Sequence, residues 1–411
     1  MYINKKNTFH VLIQSMQFST KRLVYLLVFT LLGATVSGQE GFYANGSMNM
    51  AGQTDTLKVK VLANGWLLTD VVINDKTYTF LLDSAGPTTL TTSVSGHFEN
   101  ITSRRIIDAS NHAEMVNYVS IPKLTLGKTT FLNIAAMQFD IKLLKHHGID
   151  GLLGANIMAK GIWDFDLRNE RIIIHKNNAF QDFPYVSKIT LQANGTPVIK
   201  AKYFNKVKEN VWIDIGFDDL FSLNGDYFKK LEKQALLKNE VVGYGNFAQT
   251  AFGASSGKFH LSMINLGLGN LTIKDIPVKV DHNPQSKIGV KFFEHYRTVI
   301  DFINKRIYFK PYHNKIDSTY RTFGFKTKVN RQKKLAVAFV WNNSSAFEQG
   351  IKIDDVILSL NDLDLKTTPI SHKILNKAYR LKKEKDSIVV EVNTSGNFKM
   401  LYRWDILKKR N

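Results

Sequence analysis

Residues 81–90 read LLDSAGPTTL, an apolar run that ends at a single acid, Asp83, and is followed at once by Ser, Gly and Pro. These are ordinary turn residues, so the stretch alone predicts a strand that ends at a solvated turn. A second stretch, ENVWIDIGF at residues 209–217, places Asp214 after another apolar run. An acid that recurs at the end of two apolar runs calls for a comparison of the chain with itself.

Three blocks of the chain recur in the same order. The aligned pairs are residues 78–86 on 209–217, 124–134 on 266–276, and 154–176 on 289–311. In the longest block five positions are identical, namely Gly154/Gly289, Asp166/Asp301, Asn169/Asn304, Arg171/Arg306 and Ile172/Ile307. The alignment places Asp83 opposite Asp214. Three blocks in one order predict a duplicated lobe of about 110–130 residues.

Composition limits the classes of protein that the chain can belong to. Its 411 residues suffice for two or three domains, and the hydrophobic content of 44% suits packed globular domains. The net charge is +20, but the lysines are scattered, with no basic helix and no interleaving of basic and aromatic residues. We therefore expect a generally basic surface and no nucleic-acid partner. The absence of cysteine excludes disulfides and lipid attachment through a thiol.

The N-terminal segment has the pattern of a secretory signal. Lys21 and Arg22 precede an apolar stretch at residues 23–38 that ends in small residues. A charged start, a short apolar run and a small-residue exit predict a signal peptide over residues 1–39. The alternative is an uncleaved anchor, for which the run is short and interrupted by Gly33. We expect an exported protein, periplasmic or extracellular and not a lipoprotein, with no integral membrane span after cleavage.

Two acids delivered by matched strands can act as one catalytic unit. Carboxylates held about 3 Å apart cannot both ionise, so they share a proton and titrate together. The ionised partner can take a proton from water while the protonated partner donates to a peptide carbonyl oxygen. Asp83 and Asp214 are therefore the candidate catalytic residues, if their loops meet across a pseudo-twofold axis.

The repeated blocks resemble the retropepsin-type aspartic peptidases, in particular the exported bacterial kind with two tandem lobes and a C-terminal PDZ domain. The active loop of that family is two apolar residues, Asp, Thr or Ser, Gly, and Ala or Ser. LLDSAG (81–86) and WIDIGF (212–217) align on it. A later element, two apolar residues and Gly, is matched by LLG (152–154), with KIG (287–289) as its counterpart. The resemblance covers residues 55–311.

The resemblance implies a mainly β fold with two retropepsin-like β-barrel lobes related by a pseudo-twofold axis. It also implies a hairpin flap over the substrate in each lobe, for which residues 103–121 and 241–261 are the candidates, with GYG at 243–245 interpreted as a source of flexibility. The implied site residues are the catalytic Asp83 and Asp214 and the supporting active-loop residues Ser84, Gly86, Gly216, Gly154 and Gly289.

Two positions depart from the family pattern. Ala85 stands where the first loop has Gly, and Gly86 follows it, so a Cβ could crowd the approach of the two loops. Ile215 replaces the Ser or Thr of the second loop, so the hydroxyl that bonds across to the other lobe is lost on that side. These departures keep a second hypothesis open, a degenerate protein of the same fold that binds peptides without cutting them.

Residues 320–406 differ in pattern from the two repeats and resemble a PDZ domain. The matching run lies between residues 346 and 361, and FGF, made of Phe323, Gly324 and Phe325, stands at the carboxylate-binding loop. In that family the loop captures a peptide C-terminus while the peptide adds a strand. The resemblance implies protein C-termini as partners. The alternative is an inert structural module that packs on its neighbour.

Other signals are weaker. GASSG (253–257) matches the pattern of a nucleophile elbow, but that motif needs a strand, turn and helix, and the sequence after it predicts a strand. His112, His146 and His147 lack the spacing of a zinc-peptidase motif, so we expect no metal and no cofactor.

The sequence therefore predicts four regions and one function. The regions are a signal peptide (1–39), a first aspartic-peptidase-like lobe (55–180), a second such lobe (186–312) and a PDZ-like α/β module (320–406). The expected function is hydrolysis of peptide or protein substrates by an exported aspartic endopeptidase.

Overall fold

The structure is a computed structural model, and it describes most of the chain after the N-terminal segment. The described residues are 41–62, 65–107, 113–141, 144–145, 147–177, 180–249, 254–281, 285–313, 319–366, 369–394 and 397–407. The predicted signal peptide, together with His112 and His146, lies outside these residues. Among the described residues, no helix has the length and apolar character that crossing a membrane requires.

The chain is mainly β, which confirms the fold class at that level. Up to residue 175 its elements are α1 (Gly41–Ala44), β1 (Ser47–Met50), β2 (Thr54–Lys58), β3 (Lys60–Val61), β4 (Leu67–Ile73), β5 (Lys76–Asp83), β6 (Thr89–Leu90), β7 (Glu99–Ile107), β8 (Ala113–Leu126), β9 (Thr129–Gln138), β10 (Gly151–Gly154), α2 (Ala155–Met158), β11 (Ile162–Asp166), a 3₁₀ turn (Leu167–Asn169) and β12 (Arg171–His175).

Six of these strands close into a barrel. The pairing runs β4-β5-β10-β6-β9-β8 and returns to β4, with β7 added outside β8. Strands β5 and β10 run parallel at the centre of this sheet, and all four residues of β10 are buried. A strand covered on both faces needs a continuous apolar sequence rather than an alternating one, as in FLL (80–82) and GLLG (151–154).

The next stretch of chain repeats this order. Its elements are β13 (Tyr185–Leu191), β14 (Pro197–Tyr203), β15 (Val207–Ile213), β16 (Phe221–Asn224), α3 (Gly225–Lys233), β17 (Lys238–Gln249), β18 (Ala254–Leu268), β19 (Leu271–Asp281), β20 (Lys287–Ile288), α4 (Val290–His295), β21 (Tyr296–Asp301) and β22 (Arg306–Pro311). The pairing runs β14-β15-β20-β16-β19-β18 and returns to β14, with β17 outside β18.

A six-stranded sheet joins the two barrels in the order β2-β12-β11-β21-β22-β13. Its central pair, β11 and β21, is antiparallel and brings the two aligned hairpins side by side. Asp164, fully buried on β11, accepts hydrogen bonds of 3.0 and 2.6 Å from the guanidinium of Arg297 on β21. Bidentate pairing of this kind offsets the cost of burying the carboxylate.

The C-terminal region has its own apolar core and attaches to the second barrel. Its elements are β23 (Arg321–Thr322), β24 (Phe325–Val329), β25 (Leu335–Trp341), α5 (Ser345–Glu348), β26 (Ile357–Leu360), β27 (Leu363–Asp364), α6 (His372–Glu384), β28 (Ser387–Val392), β29 (Phe398–Tyr402) and β30 (Trp404–Asp405). Strand β25 pairs with β24 on one side and with β17 of the second barrel on the other. One sheet therefore continues from the barrel into the C-terminal module.

Candidate active site

Asp83 is the last residue of β5 and lies opposite Gly154 in the parallel register of β5 and β10. The strand delivers it from the barrel core, where Phe80 and Leu82 are fully buried. The chain turns immediately afterwards, because the carboxylate itself stabilises the turn. Its Oδ1 accepts hydrogen bonds from the backbone N–H groups of Ala85 at 2.9 Å and Gly86 at 3.0 Å.

Asp214 has the same position in the second barrel. It follows β15, and its backbone N–H donates to the carbonyl of Ile288 on the parallel strand β20. Its Oδ1 accepts a hydrogen bond of 3.1 Å from the N–H of Phe217, as the Oδ1 of Asp83 does from Gly86. The two loops thus share strand environment and turn geometry.

The two loops approach each other closely at Gly216. A Cβ on Gly216 would lie 2.8 Å from Cγ of Asp83, a separation that real side chains do not tolerate. The backbone two residues after Asp214 therefore lies against the carboxylate of Asp83, and only glycine permits that contact. This places the two acids, which the alignment paired, at one site.

Ser84 bridges the loops. Its fully buried hydroxyl donates to the carbonyl of Ile213 at 2.7 Å and accepts from the N–H of Ile215 at 3.0 Å. Both partners flank Asp214 in sequence, so one hydroxyl of the first loop fixes the backbone on either side of the second acid. The sequence predicted a supporting role for Ser84. In the structure its hydroxyl makes these two hydrogen bonds to the second active loop.

On the opposite side Ile215 is fully buried, and a different residue supplies a hydroxyl. Thr196 donates to the carbonyl of Ala85 at 3.1 Å, which again joins the second barrel to the first active loop. A Cβ at Ala85 was expected to crowd the two loops. In the structure both peptide groups of Ala85 are hydrogen-bonded: its N–H donates to Asp83, and its carbonyl accepts from Thr196. Sequence reasoning missed Thr196, since no motif surrounds it.

Gly154 and Gly289 lie just behind the two acids. A Cβ on Gly154 would come within 2.0 Å of the nitrogen of Thr88, and one on Gly289 within 2.1 Å of the carbonyl oxygen of Asp219. In each barrel the strand paired parallel to the acid's strand therefore needs glycine at its end (Gly154) or immediately after it (Gly289) to pass the active loop. Gly86 is less constrained, with the nearest atom, Asp83 Oδ2, at 3.1 Å.

Lys287 is a site residue that the sequence comparison did not single out. Its Nζ lies 2.8 Å from Oδ2 of Asp214, and only 14% of its side chain is exposed. In the aligned register the first barrel has Leu152 at this position, opposite Leu81 as Lys287 is opposite Trp212. A lysine at a position that is apolar in the other repeat was the signal that could have identified it.

The electrostatics of the site single out Asp83. Burial and then the negative charge of Asp214 raise the pKa of Asp83 from its ordinary value to about 6. Hydrogen bonds from Ala85 and Gly86 and the positive charge of Lys287 act in the opposite direction. A raised pKa caused by a second carboxylate is the behaviour of a pair that shares a proton.

The candidate flaps are hairpins, and one of them is held by the C-terminal module. Strands β7 and β8 carry the first, and β17 and β18 the second. A Cβ on Gly243 would lie 2.2 Å from Cζ of Phe339, and one on Gly245, whose φ is +116°, 2.3 Å from the carbonyl oxygen of Ala338. Both glycines therefore have a packing role against β25, which the interpretation of GYG as a source of flexibility did not include.

The predicted carboxylate-binding loop lies at the start of β24. Phe323 and Phe325 are buried, and Gly324 has φ of +95°. The N–H of Gly324 already donates to the hydroxyl of Thr322 at 3.0 Å. Across from β24, Lys382 of α6 donates to the hydroxyl of Thr327 at 3.0 Å. A cation therefore lies between the edge strand and the helix.

Helix α6 also reaches the first barrel. The ring of Tyr379 stacks on that of the buried His147 with centroids 6.0 Å apart. The negative charge of Asp218, four residues after Asp214, and above all burial raise the pKa of Tyr379 to about 12. The C-terminal module thus lies beside both barrels near the second active loop.

His147 packs on aromatic rings, and the described residues include no cluster of three or more His, Asp or Glu suited to a metal ion.

Comparison with known proteins finds a similarity within the first barrel. Residues 69–157 match the family model described as aspartyl protease, a stretch that contains Asp83, its active loop and Gly154. The match supports membership of the aspartic protease family and a peptidase activity in general. No curated protein matches the chain.

Proposed function

We propose that this chain is an exported aspartic endopeptidase, built from two retropepsin-like lobes and a PDZ-like module, in which Asp83 and Asp214 form the catalytic dyad. The observation that carries the proposal is the contact between the loops: the backbone of Gly216 lies against the carboxylate of Asp83. Burial, and then the negative charge of Asp214, raise the pKa of Asp83 to about 6. A structural aspartate at a solvated turn would have neither property.

The dyad would act on water and a peptide carbonyl together. The ionised carboxylate removes a proton from water as the water oxygen bonds to the carbonyl carbon, and the protonated carboxyl donates its proton to the carbonyl oxygen. Collapse of the resulting diol breaks the C–N bond, and the nitrogen takes a proton and leaves as an amine. Proton transfers within the pair return it to the singly protonated state.

The internal duplication supports a dyad within one chain. The closed strand order of the first barrel recurs in the second, and the two acids follow matched strands, β5 and β15. Each barrel also carries a hairpin with an exposed apolar side chain, Met115 on β8 at 63% exposure and Tyr244 on β17 at 46%. Such side chains suit contact with an extended peptide in a cleft between the barrels.

The C-terminal module would dock a peptide C-terminus. Strand β24 is the edge of its sheet, as strand addition requires, and α6 faces it. Lys382 lies over the rings of Phe325 and Tyr379 at 5.2 and 5.0 Å, and among the described residues it makes no ion pair. Burial, and then the charge of Lys326, lower the pKa of Lys382 to about 7, and a peptide carboxylate beside it would favour its charged form.

A second function, peptide binding without cleavage, is favoured by one observation. Lys287 pairs with Asp214, and Ile215 provides no reciprocal hydroxyl. Both features differ from a symmetric dyad. The alternative predicts binding of peptides that Asp83→Asn and Asp214→Asn leave unchanged.

The test is incubation of the full chain with a mixed peptide library between about pH 3 and pH 8, read by mass spectrometry. The wild type should cut peptides, and Asp83→Asn and Asp214→Asn should not. Asp182→Asn, at an exposed aspartate paired with Lys310, is the matched control and should cut normally. Uncut peptides in every sample refute the peptidase, and peptides retained on the inert wild type then support the binding protein. Cleavage that persists in both dyad variants refutes the assigned residues.

A further inference from the structure

The ion pair of Lys287 with Asp214 makes the two halves of the dyad chemically different. Oδ2 of Asp214 accepts from the ammonium at 2.8 Å and Oδ1 from the N–H of Phe217. Asp83 accepts two backbone N–H groups, both at Oδ1. Among the described residues, no donor hydrogen-bonds to its Oδ2. One carboxylate thus accepts a hydrogen bond from a charged ammonium group, and the other accepts hydrogen bonds from backbone N–H groups alone.

Packing does not explain why a lysine stands at this position. The matched residue of the first barrel, Leu152, fills its place with an apolar side chain that is 8% exposed. Placing an ammonium group in a largely buried site is unfavourable unless a charge offsets the loss of hydration. Asp214 supplies that charge. The lysine therefore serves the acid, and the packing of the barrel does not require it.

Two other acids near this pair have partners of their own. Asp219, which ends the second active loop, pairs with Lys279 and with Lys291. Buried Glu209 on β15 accepts from the hydroxyls of Tyr203 and Ser286.

The remaining elements against the site add little. Asp218 lies near the C-terminal module. After burial, its negative charge is the next cause that raises the pKa of Tyr320 and Tyr379 in that module. The parts of β5 and β10 that run beside the acids, residues 80–83 and 151–154, carry no charge other than Asp83. Lys287 is consequently the cation that acts directly on the dyad.

We propose that Lys287 is a positioning residue that keeps Asp214 ionised and thereby divides the roles in the dyad. Asp214 is then the base that takes the proton of water, and Asp83 carries the shared proton and donates it to the carbonyl oxygen. This inference rests on the proposed peptidase function. It goes beyond that function because a symmetric pair would leave the two roles open.

The division predicts how the pH profile responds when the cation is removed. An opposite charge within hydrogen-bond distance favours the ionised carboxylate, so the singly protonated pair persists to lower pH with Lys287 present. Lys287→Met keeps the length of the side chain and removes the charge. The acid limb of kcat/KM should move to higher pH by about 1 to 3 units. Lys287→Arg should keep the limb within about half a unit of the wild type.

Two comparisons separate this effect from a structural one. Lys291→Met removes the same charge from the neighbouring pair, whose acid Asp219 retains Lys279, and should leave both limbs in place. If Lys287→Met does not fold, Lys287→Leu, the residue of the first barrel, replaces it. An acid limb that stays within about 0.3 units of the wild type in the folded variant overturns the proposal.

A readout without turnover separates failure of this inference from failure of the peptidase. Carbon-13 labelling of aspartate carboxyls gives resonances that Asp83→Asn and Asp214→Asn assign. The dyad, followed as one titrating pair, should take up its second proton at higher pH in Lys287→Met than in the wild type. If that titration is unchanged, the role of Lys287 is refuted whether or not peptides are cut. If it moves in a protein that cuts nothing, the ion pair has the stated effect and the peptidase function is what fails.

Discussion

The hydroxyl oxygen of Ser84 lies 2.7 Å from the carbonyl oxygen of Ile213, in the other barrel and 129 residues along the chain. The same oxygen accepts from the N–H of Ile215, so one buried side chain satisfies a donor and an acceptor of the second active loop. Because the site is buried, replacing Ser84 should lower the stability of the fold: polar backbone groups that lose their hydrogen-bond partner away from water are unfavourable.

Ser84→Ala should lower the free energy of unfolding by about 1 to 3 kcal/mol, since it leaves the N–H of Ile215 and the carbonyl of Ile213 without this partner. Urea denaturation measures the change. Ser103→Ala is the control and should cost under about 0.5 kcal/mol, because the hydroxyl of Ser103 is exposed and, within the described part of the chain, bonds only to Asn117. Equal losses in the two variants would show that the bridge between the barrels is weak.

Thr196→Val tests the second hydroxyl between the barrels. The substitution keeps the shape of the side chain and removes the donor to the carbonyl of Ala85. We expect a loss of about 1 kcal/mol in urea denaturation, less than for Ser84→Ala, because one bond is lost and not two. A loss as large as that of Ser84→Ala would mean that Thr196 has a further role in the fold.

Gly216→Ala should reduce kcat/KM at least about 100-fold, because the new Cβ would lie 2.8 Å from Cγ of Asp83 and displace the carboxylate. Gly267→Ala is the matched control. It lies on β18, its Cβ would have no neighbour closer than 3.6 Å, and its activity should stay close to wild type. Peptide cleavage at saturating and limiting substrate measures both variants. Full activity in Gly216→Ala would contradict the close approach of the loops.

Asp83 also gives stability a pH dependence whose sign follows from its pKa. The folded-state pKa, about 6, lies above the ordinary value of 3.8, so the folded protein binds this proton more tightly than the unfolded chain. The stabilisation is fully present below about pH 4 and is lost as pH rises through 6. Asp83→Asn removes the dependence, so its stability relative to wild type should grow by about 1 to 3 kcal/mol between those limits. Chemical denaturation at several pH values measures this. A constant difference would contradict the raised pKa.

The sequence predicted those parts of the site that recur in both repeats. The mainly β class followed from short apolar runs bounded by turn signals, since a strand and its turn are local features. The aspartic-peptidase-like first region followed from the resemblance of LLDSAG (81–86) and LLG (152–154) to a known family. Asp83, Ser84 and Gly154 lie within one such region, and the family match covers all three. The pairing of Asp83 with Asp214 came from the alignment alone, which compared the two repeats without knowledge of distance.

The features that sequence reasoning missed depend on contacts between distant segments. Thr196 acts on the first active loop from the second barrel, more than 100 residues away, and lies in no motif. Lys287 was visible as a charge at an aligned apolar position, but only the structure shows that its ammonium reaches Asp214. The pairing of β17 with β25 joins a flap to a separate module. Nothing in the sequence of either strand indicates that it pairs with the other.

The junction of β17 with β25 gives the last prediction. Gly243 lies opposite Trp341, and a Cβ on it would lie 2.2 Å from Cζ of the fully buried Phe339 and 2.6 Å from Cε3 of Trp341. Rings packed on several sides cannot move away cheaply, so Gly243→Ala should separate the two strands. Amide hydrogen exchange within residues 335–341 should then become at least about tenfold faster than in the wild type, while exchange in β5 stays unchanged. Gly267→Ala, whose Cβ would make only ordinary van der Waals contacts at 3.6 Å or more, should leave residues 335–341 protected. Unchanged protection in Gly243→Ala would mean that the module does not hold the flap through this strand pair.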